Sequence, residues 1–153
     1  MVVASVRPDS WNIPLFLHVL GAMVLVGALV AVASALLLAL RPGAAGTAVL
    51  PRFAFRTLLL GAVPAWLVMR LGAEWIYNKE GFTGDSDPSW IGIGFTTADG
   101  GGIVLLITTI LAYVGVRRAR TEGGGAVARI VGALASLLLI AYIVAVWAMT
   151  TKP

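Results

Sequence analysis

Four long apolar runs are the feature that most constrains the fold of this 153-residue chain. They cover residues 13–40, 57–77, 97–116 and 130–149. About 20 consecutive apolar residues span the ~30 Å hydrocarbon core of a bilayer as a helix. Backbone polar groups in lipid must be satisfied internally, and the alternation typical of a membrane barrel is absent. The sequence therefore predicts an all-α fold, a four-transmembrane-helix bundle that forms a single domain over residues 1–153.

Composition excludes the common soluble classes. Hydrophobic residues make up 59% of the chain and charged residues 12%, whereas a soluble domain has ~25% charged residues. The net charge of +4 does not indicate a nucleic-acid partner, because the basic residues stand between apolar runs and form no basic stripe with interleaved aromatics. The first run is longer than the apolar region of a signal peptide, so we interpret it as an uncleaved span. The lipid bilayer is the expected partner, and the cell membrane the expected location.

The distribution of Lys and Arg predicts the orientation in that membrane. Seven arginines flank the connections that follow the first and third runs: Arg41, Arg52, Arg56, Arg117, Arg118, Arg120 and Arg129. The opposite side has three basic residues: Arg7, Lys79 and Lys152. Since cytoplasmic flanks carry the excess of Lys and Arg, we predict that both termini and the acidic 78–96 connection lie outside the cell.

Polar residues inside the apolar runs are the candidates for a functional site, because charge at membrane depth is costly. At ~1.5 Å per residue, His18 and Arg70 lie about 10 Å below the predicted outer interface. Glu74 lies one turn farther out, on the same helix face as Arg70, Asp99 lies near the predicted start of the third span, and Tyr142 lies about 7 Å deep. All four runs thus place a polar group in one leaflet. We predict a ligand-binding cluster of these five residues and assign no catalytic residue.

Each of these residues also has a purely structural interpretation. Arg70 and Glu74 would neutralise one another as an i,i+4 pair, with the guanidinium against the ring of Trp66. Asp99 would complement the N-terminus of the third helix. The histidine would be neutral and hydrogen-bonded across the bundle, and the tyrosine would pack with one hydrogen bond. The sequence leaves these alternatives open.

We consider three kinds of functional site that these polar residues could form. His18, Glu74 and Asp99 are weak candidates for a metal site, since imidazole and carboxylates suit zinc, iron or manganese, although Arg70 would repel a cation. His18, Glu74 and Arg70 are candidates for a proton or ion relay. The third hypothesis is a pocket that binds an anionic or amphiphilic small molecule through Arg70.

Two features of the runs predict how the helices pack. Pro64 lies inside the second run, so we expect it to kink that helix and make room beside Arg70. Small residues at four-residue spacing predict close helix approach, and they are Gly27, Ala31 and Ala35, then Gly61 and Ala65, then Gly132 and Ser136.

Three segments carry a resemblance to known families. Residues 17–27, with the sequence LHVLGAMVLVG, resemble the first span of the copper-resistance D-like and protoporphyrinogen-oxidase J-like membrane proteins. That resemblance implies haem-associated chemistry, but those groups use more than one histidine and this chain has only His18. Residues 70–76 and 146–153 resemble parts of uncharacterised actinobacterial four-span membrane proteins. The second resemblance implies the fold and topology and supplies no reaction.

We therefore expect a non-enzymatic binding or accessory component that uses the polar cluster. No cofactor is predicted. One alternative is a membrane oxidoreductase that holds haem or a divalent metal; the other is a small-molecule or ion transporter that acts as an oligomer. Other membrane proteins and a homo-oligomer are the candidate protein partners.

Overall fold

The computed structural model describes residues 8–39, 49–82, 84, 87–118 and 125–151. These residues are all-helical and contain no strand. They form four helical segments that are long and apolar enough to cross a membrane. The prediction of an all-α chain with four potential membrane spans is therefore confirmed.

The first segment is α1 (Asn12–Ala39), preceded by a short 3₁₀ turn. The second consists of α2 (Val49–Thr57), a π-helical turn and α3 (Val63–Glu80). The third and fourth are α4 (Ser89–Arg118) and α5 (Gly125–Thr151). Each segment packs against the next along the chain, and the fourth closes the bundle against the first. The side chains of Leu25, Leu29, Val32, Leu58 and Leu105 are fully buried along its axis.

α4 begins eight residues before the predicted third span. It starts at Ser89, where the amide of Ile91 donates to the carbonyl of Pro88 at 2.9 Å. A helix can continue past the hydrocarbon core, so the apolar run marks the membrane depth and not the helix end. Asp99 consequently lies ten residues inside α4. The interpretation of Asp99 as a complement to the helix N-terminus is wrong.

The second segment has an irregular turn beside Pro64. Within the π-helical turn Leu58–Ala62, the amide of Val63 donates to the carbonyl of Leu58, five residues earlier. The ring of a helical proline crowds the carbonyl four residues before it, here that of Leu60. A widened turn relieves this crowding and keeps the helix continuous. This π-helical turn lies before Pro64, whereas Arg70 lies after it, so the turn itself does not make room beside Arg70.

α1 and α3 touch through their backbones at two glycines. A Cβ at Gly21 would lie 2.5 Å from the backbone nitrogen of Met69. A Cβ at Gly72 would lie 2.6 Å from the backbone nitrogen of His18. Distances this short leave no space for a methyl group on either helix. The two glycines therefore set the separation of α1 and α3, as small residues do in membrane bundles.

The predicted small-residue spacing did not select these two positions. A Cβ at Gly27 would meet no atom within 4 Å, and a Cβ at Gly61 would lie 3.7 Å from its nearest neighbour. At Gly132 that distance is 3.4 Å, which is ordinary packing. Spacing identified small residues, but Gly21 and Gly72 are the ones at which helix backbones meet.

Candidate functional site

Arg70 joins α3 to α4 through charged side chains. Its Nε donates to Oδ1 of Asp99 at 2.6 Å, and one terminal nitrogen donates to Oε2 of Glu74 at 2.7 Å. The predicted i,i+4 pair with Glu74 is present, and so is a partner across the bundle. The guanidinium carbon lies 4.7 Å from the ring centre of Phe95. The cation–π contact predicted with Trp66 is thus made by Phe95 instead.

This charged cluster, Arg70, Glu74 and Asp99, is only partly covered. The Arg70 side chain is 24% exposed, whereas those of Glu74 and Asp99 are 50% and 56% exposed. Glu74 therefore does not lie in the bundle interior. The two carboxylates and one guanidinium carry a net charge of −1 when all are ionised. An anionic ligand at Arg70 would therefore meet two carboxylates already bound there.

Trp66 is a partly buried residue that joins α3 to α4 through a hydrogen bond, a role that the sequence did not predict. Its indole nitrogen donates to the carbonyl of Ala98 at 2.7 Å. A Cβ at Gly102 would lie 2.3 Å from the indole ring, so the ring occupies the space that a side chain at Gly102 would fill. The indole N–H of a buried tryptophan needs a hydrogen-bond acceptor. Because Gly102 has no side chain, the Trp66 ring lies close enough to α4 to reach a backbone carbonyl.

His18 lies apart from the charged cluster, at the contact between α1 and α3. Its Nδ1 donates to the carbonyl oxygen of Met69 at 3.0 Å. This is the cross-bundle hydrogen bond that the structural interpretation of His18 predicted. No interaction with Arg70, Glu74 or Asp99 involves the imidazole in the described residues.

A cleft opens beside His18 at the α3–α4 end of the bundle, the end where α3 stops and α4 begins. Its volume is about 840 Å³. All four segments line it, mostly with apolar side chains such as Val19, Met23, Phe95 and Val146. A narrow extension of about 50 Å³ continues from it and shares His18, Phe95 and Val146 as lining residues.

Tyr142 lines the narrow extension. Its side chain packs against Gly101, where a Cβ would lie 2.7 Å from the tyrosine oxygen. The residue is 4% exposed, and its hydroxyl has no hydrogen-bond partner within the described part of the chain. The single hydrogen bond predicted for Tyr142 is therefore absent there. An unpaired buried hydroxyl costs roughly 1–3 kcal/mol.

Aromatic rings line the cleft at the α3–α4 end. The ring of Tyr77 lies 5.6 Å from Phe82 and 5.2 Å from Phe95, and Phe82 lies 6.4 Å from Trp90, centre to centre. The Tyr77 hydroxyl donates to Oδ2 of Asp87 at 2.5 Å, which ties this group to the connection between α3 and α4. The four rings form a contiguous wall.

The weak metal candidates do not come together. Glu74 and Asp99 both bind Arg70, while His18 binds the Met69 carbonyl. Across the described ranges, no group of three or more His, Asp or Glu side chains is placed to hold a metal ion. Of the five predicted site residues, the structure joins three in the charged cluster and places His18 and Tyr142 on the cleft.

Comparison with protein-family models, with curated proteins and with solved structures finds no match to this chain.

Proposed function

We propose that this protein is a non-enzymatic membrane component that binds an amphiphilic small molecule in the cleft. The observation that carries the proposal is the cleft itself. Its volume of about 840 Å³ lies within the range of ~300–1,000 Å³ typical of small-molecule sites. An apolar wall with few polar groups is also typical of such sites, and His18 is one of the few polar side chains on this wall.

The ligand enters from the lipid. Four exposed apolar side chains flank the opening between α1 and α5: Val19, Met23, Ile143 and Val146. These side chains face acyl chains when the four segments span a bilayer. A molecule dissolved in that bilayer reaches the cleft without crossing water, which favours a ligand with a substantial apolar part.

The charged cluster supports the cleft without binding the ligand. Arg70 lies over one side of Phe95, and Phe95 also lines the cleft. The salt bridge from Arg70 to Asp99 holds α3 against α4. In this proposal the cluster keeps the wall formed by Phe95 in place.

We place the protein in the cell membrane with both termini and the cleft outside. The described basic residues support this orientation, because five arginines lie at the end of the bundle opposite the cleft: Arg52, Arg56, Arg117, Arg118 and Arg129. Lys79 lies at the cleft end. Arg7, Arg41, Arg120 and Lys152 belong to the prediction but lie outside the described residues.

Co-purification tests the proposal. The protein is purified in nanodiscs, extracted with organic solvent, and the extracted small molecules are quantified per protein by mass spectrometry. Val146→Trp fills the cleft, whereas Ile140→Trp adds the same ring to an equally apolar, exposed position of α5 outside the cleft. We expect a near-stoichiometric molecule with wild type and Ile140→Trp, and its loss with Val146→Trp. Equal recovery from both variants contradicts the proposal.

The same sample tests the oxidoreductase alternative. A haem protein would show a Soret band, and a metalloprotein would contain stoichiometric metal by elemental analysis. We expect neither. The transporter alternative predicts an oligomer, and the mass of the protein–nanodisc complex tests it.

A further inference from the structure

The hydrogen bond of His18 determines which of its ring nitrogens is left without a protein partner among the described residues. A carbonyl oxygen only accepts hydrogen bonds, so the Nδ1 that lies 3.0 Å from the Met69 oxygen carries the hydrogen. In a neutral imidazole the other nitrogen, Nε2, is then an acceptor. No described residue donates to it. The wall of the cleft thus carries a hydrogen-bond acceptor that the protein leaves unused.

The surroundings of His18 are mostly apolar. Both carboxylates near this depth are bound to Arg70, and none contacts the imidazole among the described residues. The neighbouring wall is built of apolar side chains such as Ala22, Val26 and Val146.

Charge also restricts the ligand. The charged cluster behind Phe95 carries a net −1, and Glu80 lies on the rim of the cleft. These groups disfavour a carboxylate or phosphate headgroup. Beside His18, an ammonium headgroup would have to leave water for an apolar wall where no carboxylate contacts the imidazole among the described residues, which is costly. An uncharged polar end fits both conditions.

The narrow extension adds no polar group for a ligand, because its wall is almost entirely apolar. The Tyr142 hydroxyl is buried against Gly101, and Tyr142 lines the extension together with His18. The extension has a volume of about 50 Å³, which is room for a group of only a few heavy atoms. A bulky headgroup therefore does not fit there.

We propose that the ligand of the cleft is an uncharged long-chain alcohol, whose hydroxyl donates a hydrogen bond to Nε2 of His18 and whose apolar chain lies along the cleft. This inference rests on the proposed function and adds the chemical class of the ligand. The hydroxyl distinguishes the alcohol from its methyl ether, which has the same chain and the same oxygen but cannot donate a hydrogen bond.

Three probes of equal chain length test the inference: hexadecan-1-ol, hexadecyl methyl ether and hexadecanoate. Binding of each to the purified full chain in detergent is titrated by native mass spectrometry. In wild type we expect the alcohol to bind roughly tenfold more tightly than the ether, as one hydrogen bond allows, and the carboxylate to bind most weakly. In His18→Phe the alcohol is expected to weaken to the level of the ether.

Thr150→Val is the matched control. Thr150 also lines the cleft, but its hydroxyl already donates to the Trp147 carbonyl at 2.9 Å. We expect this variant to keep the preference for the alcohol. If His18→Phe does not fold, the inference is still tested by comparing the binding of the alcohol with that of the ether to wild type.

The outcomes separate this inference from the proposed function. Equal binding of alcohol and ether to wild type, or tighter binding of the carboxylate, overturns the inference while the cleft still binds a ligand. If none of the probes binds and Val146→Trp leaves the co-purified molecules unchanged, both fail.

Discussion

Arg70 binds two carboxylates that belong to different helices, and this changes what its removal would do. Glu74 lies one turn along α3, whereas Asp99 lies on α4. Loss of the guanidinium leaves both carboxylates without a cation at membrane depth. The residue therefore cannot be treated as half of a simple i,i+4 pair.

We predict that Arg70→Leu destabilises the protein by about 1–2 kcal/mol, a moderate value because the partners are half-exposed. The double change with Glu74→Leu recovers only part of this loss, since Asp99 is still unpaired. The triple change that adds Asp99→Leu recovers most of it. Thermal unfolding in one detergent, followed by circular dichroism, measures the series. Full recovery in the double variant would show that the Arg70–Asp99 bond contributes nothing.

At the scale of the elements, the contact between α1 and α3 is the least tolerant of change. Its two backbone contacts, at Gly21 and Gly72, flank the hydrogen bond between His18 and Met69. The separation of these helices also sets the position of the imidazole on the cleft. Packing and the candidate site are therefore coupled through the same few residues.

We predict that Gly72→Ala destabilises the bundle by about 1–3 kcal/mol, as overpacking does. The added methyl group would lie 2.6 Å from the backbone nitrogen of His18. Gly27→Ala is the control, since a Cβ there meets no atom within 4 Å. That variant is expected to be neutral or more stable by up to ~1 kcal/mol, because alanine favours helix. Equal melting temperatures for the two variants would contradict the close contact.

At the scale of the whole molecule, the asymmetry of basic residues predicts which end of the bundle faces outward. The chain has no cysteine, so one introduced cysteine is the only target of a thiol reagent. We predict that a cysteine replacing Ser86 reacts with a membrane-impermeant maleimide in intact cells. Cysteines replacing Ala45 or Gly124 are expected to react only after lysis. These three positions lie in connections outside the described residues.

Labelling of Ala45→Cys from outside intact cells would reverse the orientation and place the cleft on the cytoplasmic side. The fold and the cleft would be unaffected, because neither depends on which side faces outward. The ligand inference would also stand, since its probes are added to the purified chain in detergent, where the protein has no inner or outer side.

The sequence by itself determined the four helices and the pairing of Arg70 with Glu74. These features follow from local rules: apolar length defines a span, and residues four apart share a helix face. His18 was also predicted to bond across the bundle, because a polar group at that depth needs a partner. None of these predictions requires knowing which helix faces meet.

Only the tertiary structure decided that Asp99 reaches Arg70, that Phe95 replaces Trp66 beneath the guanidinium, and that a cleft lies beside His18. Each depends on the rotation and register of one helix against another. A soluble helix reveals its buried face by an apolar stripe, but a membrane helix is apolar on the face that meets lipid as well as on the face that meets protein. Backbone contacts such as the one at Gly72 select the register, and a single sequence does not distinguish that glycine from Gly27.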